Sequence, residues 1–179
     1  MNSVDSSPAW RIALFILILS STFWLGGAHA RLLIANQLLQ IGTLEFNPYL
    51  APESERELFR LLSFSSLTVI LSYGTALISG TIFLWTSPLR FKEHGWLMLS
   101  AILFYVFVPV EAFLIFLDGK MIYYEFFTTE GNSVFRELFI ARMGALAGAP
   151  FIATLCYYTI IGLAVFQPMK LTSIRSHEG

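Results

Sequence analysis

Apolar residues fall in long blocks along this chain, the pattern of segments that cross a hydrocarbon layer of about 30 Å. Four helices are read from them. The first runs from Trp10 to Ala30, with apolar sequence continuing toward Gln40. The second starts near Glu55, and its uncharged core, Leu61 to Thr86, is the spanning part. The third runs from Trp96 to Leu117, and the fourth starts near Val134 and spans 138–166. Ser54-Glu55-Arg56-Glu57 reads as a capping box that starts the second helix in water. Thr86-Ser87-Pro88 and Phe166-Gln167-Pro168 stop the second and fourth. Pro109 and Pro150 fall inside the third and fourth spans, where each removes a backbone donor and frees a carbonyl a turn earlier. The expected fold is all-α, an integral membrane four-helix bundle forming one transmembrane domain over residues 1–179. A competing reading takes Arg11, the apolar run Ile12 to Leu25 and Ala28-His29-Ala30 as a signal peptide, whose cleavage leaves three spans. Apolar sequence resumes at once in Leu32-Leu33-Ile34-Ala35, which favours a retained helix.

A shift of eighty residues places Glu45-Phe46 on Glu125-Phe126 and Arg56-Glu57-Leu58-Phe59 on Arg136-Glu137-Leu138-Phe139. Ser20 falls on Ser100, and Arg31 falls on Glu111. Either an ancestral duplication or chance matching in a low-variety sequence accounts for this. A duplication makes the chain two parallel helical hairpins.

Composition sharpens the membrane reading. Charged residues make up 13% of the chain, about half the share usual for a soluble domain, and mean hydropathy is +0.68. A net charge of −1 without a basic stripe argues against nucleic acid as a partner. The lone Cys156 excludes an intrachain disulfide and reads as a small buried hydrophobe. Trp10, Trp85 and Trp96 fit an aromatic belt at one membrane face, and Tyr49, Tyr123 and Tyr124 one at the other. Arg11, Arg90, Lys92, Lys170 and Arg175 lie on the side of both termini, with few acids among them. Both termini are therefore placed in the cytoplasm, in a bacterial inner membrane.

Glu111 stands out within the run Phe107 to Leu117. A carboxylate at that depth is neutral, paired or faces a water-filled cavity. Arg31 and His29 at the end of the first span, and Arg142 in the fourth helix, come to similar depth by helical rise. An Arg142–Glu111 or Arg31–Glu111 pair is open, either as a tie between helices or as a headgroup, quinone, ion or proton site. Small residues mark close helix contacts: Gly26 with Ala30, Ser72-Ala76-Gly80, and Gly144 with Gly148. The three histidines, His29, His94 and His177, do not supply paired axial ligands within the bilayer, and no H-x-x-x-H, C-x-x-C, Walker or dinucleotide motif occurs. No metal site or catalytic residue is expected.

Phe23-Trp24-Leu25-Gly26-Gly27, the entry Arg56 to Leu62, Ser79-Gly80 and Phe135-Arg136-Glu137-Leu138 resemble the pattern of small four-helix membrane proteins of the copper-resistance D type, and of the bacterial relatives that oxidise protoporphyrinogen. That resemblance covers the four-span layout. The family's early histidine and third-helix lysine are missing here, so it implies the fold without haem, copper or porphyrin chemistry. The function expected first is a non-catalytic accessory or scaffold subunit that packs against other membrane subunits or a second copy. Two further readings are a membrane redox protein holding haem, porphyrin or quinone near Trp24, His29 and Glu111, and a small transporter using Glu111 and Arg142.

Overall fold

A computed structural model describes residues 9–40, 43–128, 132–144 and 149–169. Among these residues the regular structure is helical: α1 (Ala9–Leu38), α2 (Pro52–Thr86), α3 (Gly95–Val106), α4 (Val108–Phe127), α5 (Asn132–Gly144) and α6 (Ala149–Phe166). Three stretches, Ala9–Leu38, Pro52–Thr86 and Gly95–Phe127, are long and apolar enough to cross a membrane. α6 is apolar but shorter. Large apolar side chains such as Phe15, Leu33, Leu71 and Phe151 are exposed along these helices, as a lipid-facing surface requires.

Several helix boundaries differ from the sequence reading. α1 runs unbroken through Ala28-His29-Ala30 and ends at Leu38. α2 starts at Pro52 with Ala51 as its N-cap, and no side chain caps it. Ser54 is therefore inside the first turn: proline suits the first helical position because it lacks the N–H that would go unbonded there. Glu53 and Glu55 in that turn complement the helix dipole. The third span does not stop near Leu117 but continues to Phe127, carrying Asp118 and Lys120 within it. It is interrupted at Phe107, with Pro109 in the first turn of α4. The fourth segment is two helices, and Pro150 sits at the start of the second. Pro109 thus marks the interruption at Phe107, since it cannot donate to the preceding turn, while residues 145–148 before Pro150 lie outside the described residues.

α1 packs along α2, α2 also meets α4, α4 meets α5, and α3 meets α6. α1 and α2 come close at Gly27, where a Cβ would lie 2.8 Å from Val69 Cγ2. Gly26 was the expected contact, but it faces outward with open space around it, because successive helix positions are rotated by about 100°. Gly80 lies against Leu17 of α1 and Phe104 of α3, as a packing glycine should. Gly144 is exposed and reaches only Leu44, while Gly148 lies outside the described residues.

The core is layered. At the end carrying residues 39–51, here the upper end, Phe59, Phe135, Phe139, Leu38 and Met121 pack together. A middle layer holds Trp24, Val69, Tyr73, Ala153 and Tyr157. Ala13, Phe83, Trp96 and Leu97 form a lower layer, near the connection between α2 and α3.

Candidate functional site

Between the upper and middle apolar layers lies a layer of charge. Arg31 of α1 donates from both terminal nitrogens to the two carboxylate oxygens of Asp118, at 2.6 Å each. Arg142 of α5 donates from Nε to Asp118 Oδ1 at 2.5 Å. Asp118 is 1% exposed and Arg31 5%. Three helices are therefore tied at one carboxylate in a medium where an unpaired charge is expensive. Glu111 belongs to the same layer: it is 7% exposed, two turns before Asp118 on the same face of α4, with Leu114 buried between them. It is within electrostatic reach of Arg31, Arg142 and Asp118, yet its carboxylate makes no side-chain hydrogen bond among the described residues. The two arginines and two acids balance in formal charge.

The structure brings Arg31, Arg142 and Glu111 together, as the shared depth suggested, but both arginines choose Asp118. Sequence reading ended the third span at Leu117, which left Asp118 at the helix end. The available signal was its position seven residues after Glu111, which puts both acids on one face. His29 does not join the charged layer. It is exposed on α1, with Nδ1 2.7 Å from the Leu25 carbonyl oxygen and Nε2 3.0 Å from the Tyr158 hydroxyl. A second ion pair fastens the upper end. Arg136 of α5 donates to both oxygens of the buried Glu55 at 2.5 and 2.6 Å, and its guanidinium lies 4.9 Å from the centre of the Phe46 ring. The hydrogen bonds to Glu55 hold the Arg136 pKa above its ordinary value, so the arginine stays charged throughout any working pH.

Below the charged layer, α1, α2, α3 and α6 line a partly open cavity of about 740 Å³. Its upper wall is aromatic. Trp24 stands edge-on to Tyr157 at 4.3 Å between ring centroids and 5.8 Å from Tyr73, and Phe104 stacks against Tyr73 at 6.2 Å. Its lower wall carries Trp10 and Trp96. All three of these indole N–H groups are buried without a hydrogen-bond partner among the described residues. Trp24 is 5% exposed and Trp96 8%. The Tyr157 hydroxyl donates to the Tyr73 hydroxyl at 3.4 Å, which leaves the Tyr73 proton without an acceptor among the described residues. Buried donors of this kind are normally satisfied, so three of them on side chains that line one space are informative. Sequence reading singled out Trp24 but not the other walls, because Trp10 and Trp96 fit interfacial belts equally well.

Among the described residues no group of His, Cys, Asp or Glu is arranged to hold a metal ion. The fold and the site define a helical protein with three stretches long and apolar enough to cross a membrane, a buried ionic layer and an aromatic cavity beneath it. No family model, curated protein or solved structure matches the chain.

Proposed function

We propose that the protein is an integral membrane protein that binds a lipophilic molecule in the cavity between α1, α2, α3 and α6, with the ionic layer serving as the structural lid of that cavity. The observation that carries this reading is the buried, unpartnered indole N–H of Trp24, whose side chain lines a space of about 740 Å³. Apolar walls with a few convergent polar groups are the usual make-up of a small-molecule site. In this reading α5 and α6 together make a fourth crossing, and the termini face the cytoplasm of a bacterial inner membrane. A duplicated-hairpin origin draws support from Ser20 and Ser100, which are both buried and both bond the carbonyl four residues earlier, at 2.7 and 2.8 Å. The test is native mass spectrometry and lipid analysis of protein extracted in mild detergent. Retention of a discrete organic mass is expected, and loss of that mass on Ser100→Trp, which fills the cavity, identifies the place. A chain that carries only exchangeable detergent and bulk phospholipid would remove the reading.

A second reading, as an accessory subunit, rests on Gly26 and Ala30. They lie one turn apart on an outer face of α1, and Gly26 has open space above it. Small residues at that spacing let a partner helix approach closely. Gly26→Leu is expected to release a co-purifying membrane partner or a second copy without altering the fold. Unchanged co-purification rejects this use of the face.

A further inference from the structure

Resting on the cavity reading, we propose that the ligand is an elongated lipophile with a flat, carbonyl-bearing head, the chemistry of a long-chain quinone, and that it enters head first so that the carbonyl meets Trp24 and Tyr73 near the centre of the membrane. Depth supplies the first argument. Trp24 is near the middle of α1, and Trp10 lies fourteen residues below it, about 21 Å along the helix axis. Trp10 and Trp96 stand where interfacial water and lipid esters supply acceptors. Trp24 has neither within reach, so its N–H needs a partner carried down to that depth.

Polarity is the second argument. At the upper wall the unpartnered group is a donor, the Trp24 indole N–H, and the Tyr73 hydroxyl, which accepts from Tyr157, still has its own proton to give. A carbonyl oxygen has two lone pairs and can accept from both. A phospholipid in the same space would set its carbonyls at the lower end and bring only a methyl terminus to Trp24, leaving both donors bare. A fatty alcohol entering head first offers one oxygen but also adds a donor that would itself need an acceptor. Shape is the third argument. Trp24, Tyr73, Tyr157 and Phe104 form the upper wall with ring centroids 4.3 to 6.2 Å apart, surfaces that suit a planar conjugated head. The space below runs between Leu14, Leu17, Ala76 and Ile161, which suits an apolar tail.

The experiment compares two probes on the full chain in mild detergent, a benzoquinone bearing a ten-carbon alkyl tail and an alkylbenzene of the same tail length. Binding is read by native mass spectrometry, because the variant removes a fluorophore. Wild type is expected to prefer the quinone, and Trp24→Phe, which keeps a ring and removes the donor, is expected to weaken quinone binding about tenfold while leaving the alkylbenzene unchanged. Equal binding of both probes, unaffected by Trp24→Phe, overturns the carbonyl assignment and leaves the lipophile cavity standing. Failure of both probes to bind wild type overturns both. Should Trp24→Phe lose both probes through a change of shape, nitrogen-15 indole spectra of wild type decide. A downfield shift of the Trp24 N–H with quinone alone upholds the proposal, and no shift overturns it.

Discussion

Asp118 carries the heaviest single obligation in the molecule, because two guanidinium groups from two other helices end on its one carboxylate. Asp118→Asn keeps the shape but leaves both arginines in a poor medium with a weaker acceptor. It is expected to destabilise the fold by about 3–5 kcal/mol, the range for breaking a buried pair. Glu111→Gln should cost about 1 kcal/mol, because no hydrogen bond to Arg31 or Arg142 depends on it. Thermal unfolding of the two variants in one detergent checks the order. Equal losses would mean that Glu111 holds the arginines as firmly as Asp118 does. The chemistry of this layer was partly legible beforehand. Arg31, Glu111 and Arg142 stand out in sequence because charge within an apolar run is rare. Their true partner was hidden by its neighbours, Gly119 and Lys120, which give Asp118 the look of an exposed helix end.

At the scale of elements, the α1–α2 pair is set by one missing side chain. Gly27→Ala forces a Cβ to within 2.8 Å of Val69 Cγ2, so the Val69 side chain must turn or the helices must separate. A loss of about 1–3 kcal/mol is expected from overpacking. Gly26→Ala, one residue earlier and facing open space, should be neutral or stabilise slightly through helix propensity. Circular dichroism melts of the two variants check this, and a reversed order would mean that the helices meet on a different face. The existence of the long helices was readable because spanning apolar runs have few alternatives. Their ends were less so: Pro52 overrode the Ser54 capping pattern, and the third helical stretch ran nine residues past Asp118, to Phe127, because Asp118 is neutralised inside the fold. The interruption at Phe107 was signalled by Pro109, two residues on.

For the whole molecule, the aromatic layers and the ionic layer stack in order along the helices, so the cavity lies on one side of the charge and the second ion pair, Arg136–Glu55, on the other. The proposed topology makes a concrete forecast. With Cys156 replaced by Ala, a cysteine at Lys92 should react with a membrane-impermeant maleimide only in inside-out vesicles, and one at Tyr49 only in right-side-out cells. Labelling of both from one side would discard the arrangement of crossings.

The tie between Arg31 and Asp118 joins residues 87 positions apart in the chain. A nascent chain inserting span by span delivers the guanidinium to the bilayer before its carboxylate has been synthesised. Until then α1 carries an unmatched cation, a burden of about 2.5–3.5 kcal/mol on biological insertion scales. In the proposed topology the first helix is then expected to wait at the insertion machinery or sit shallow in the membrane, with the arrival of Asp118 drawing it to its final depth.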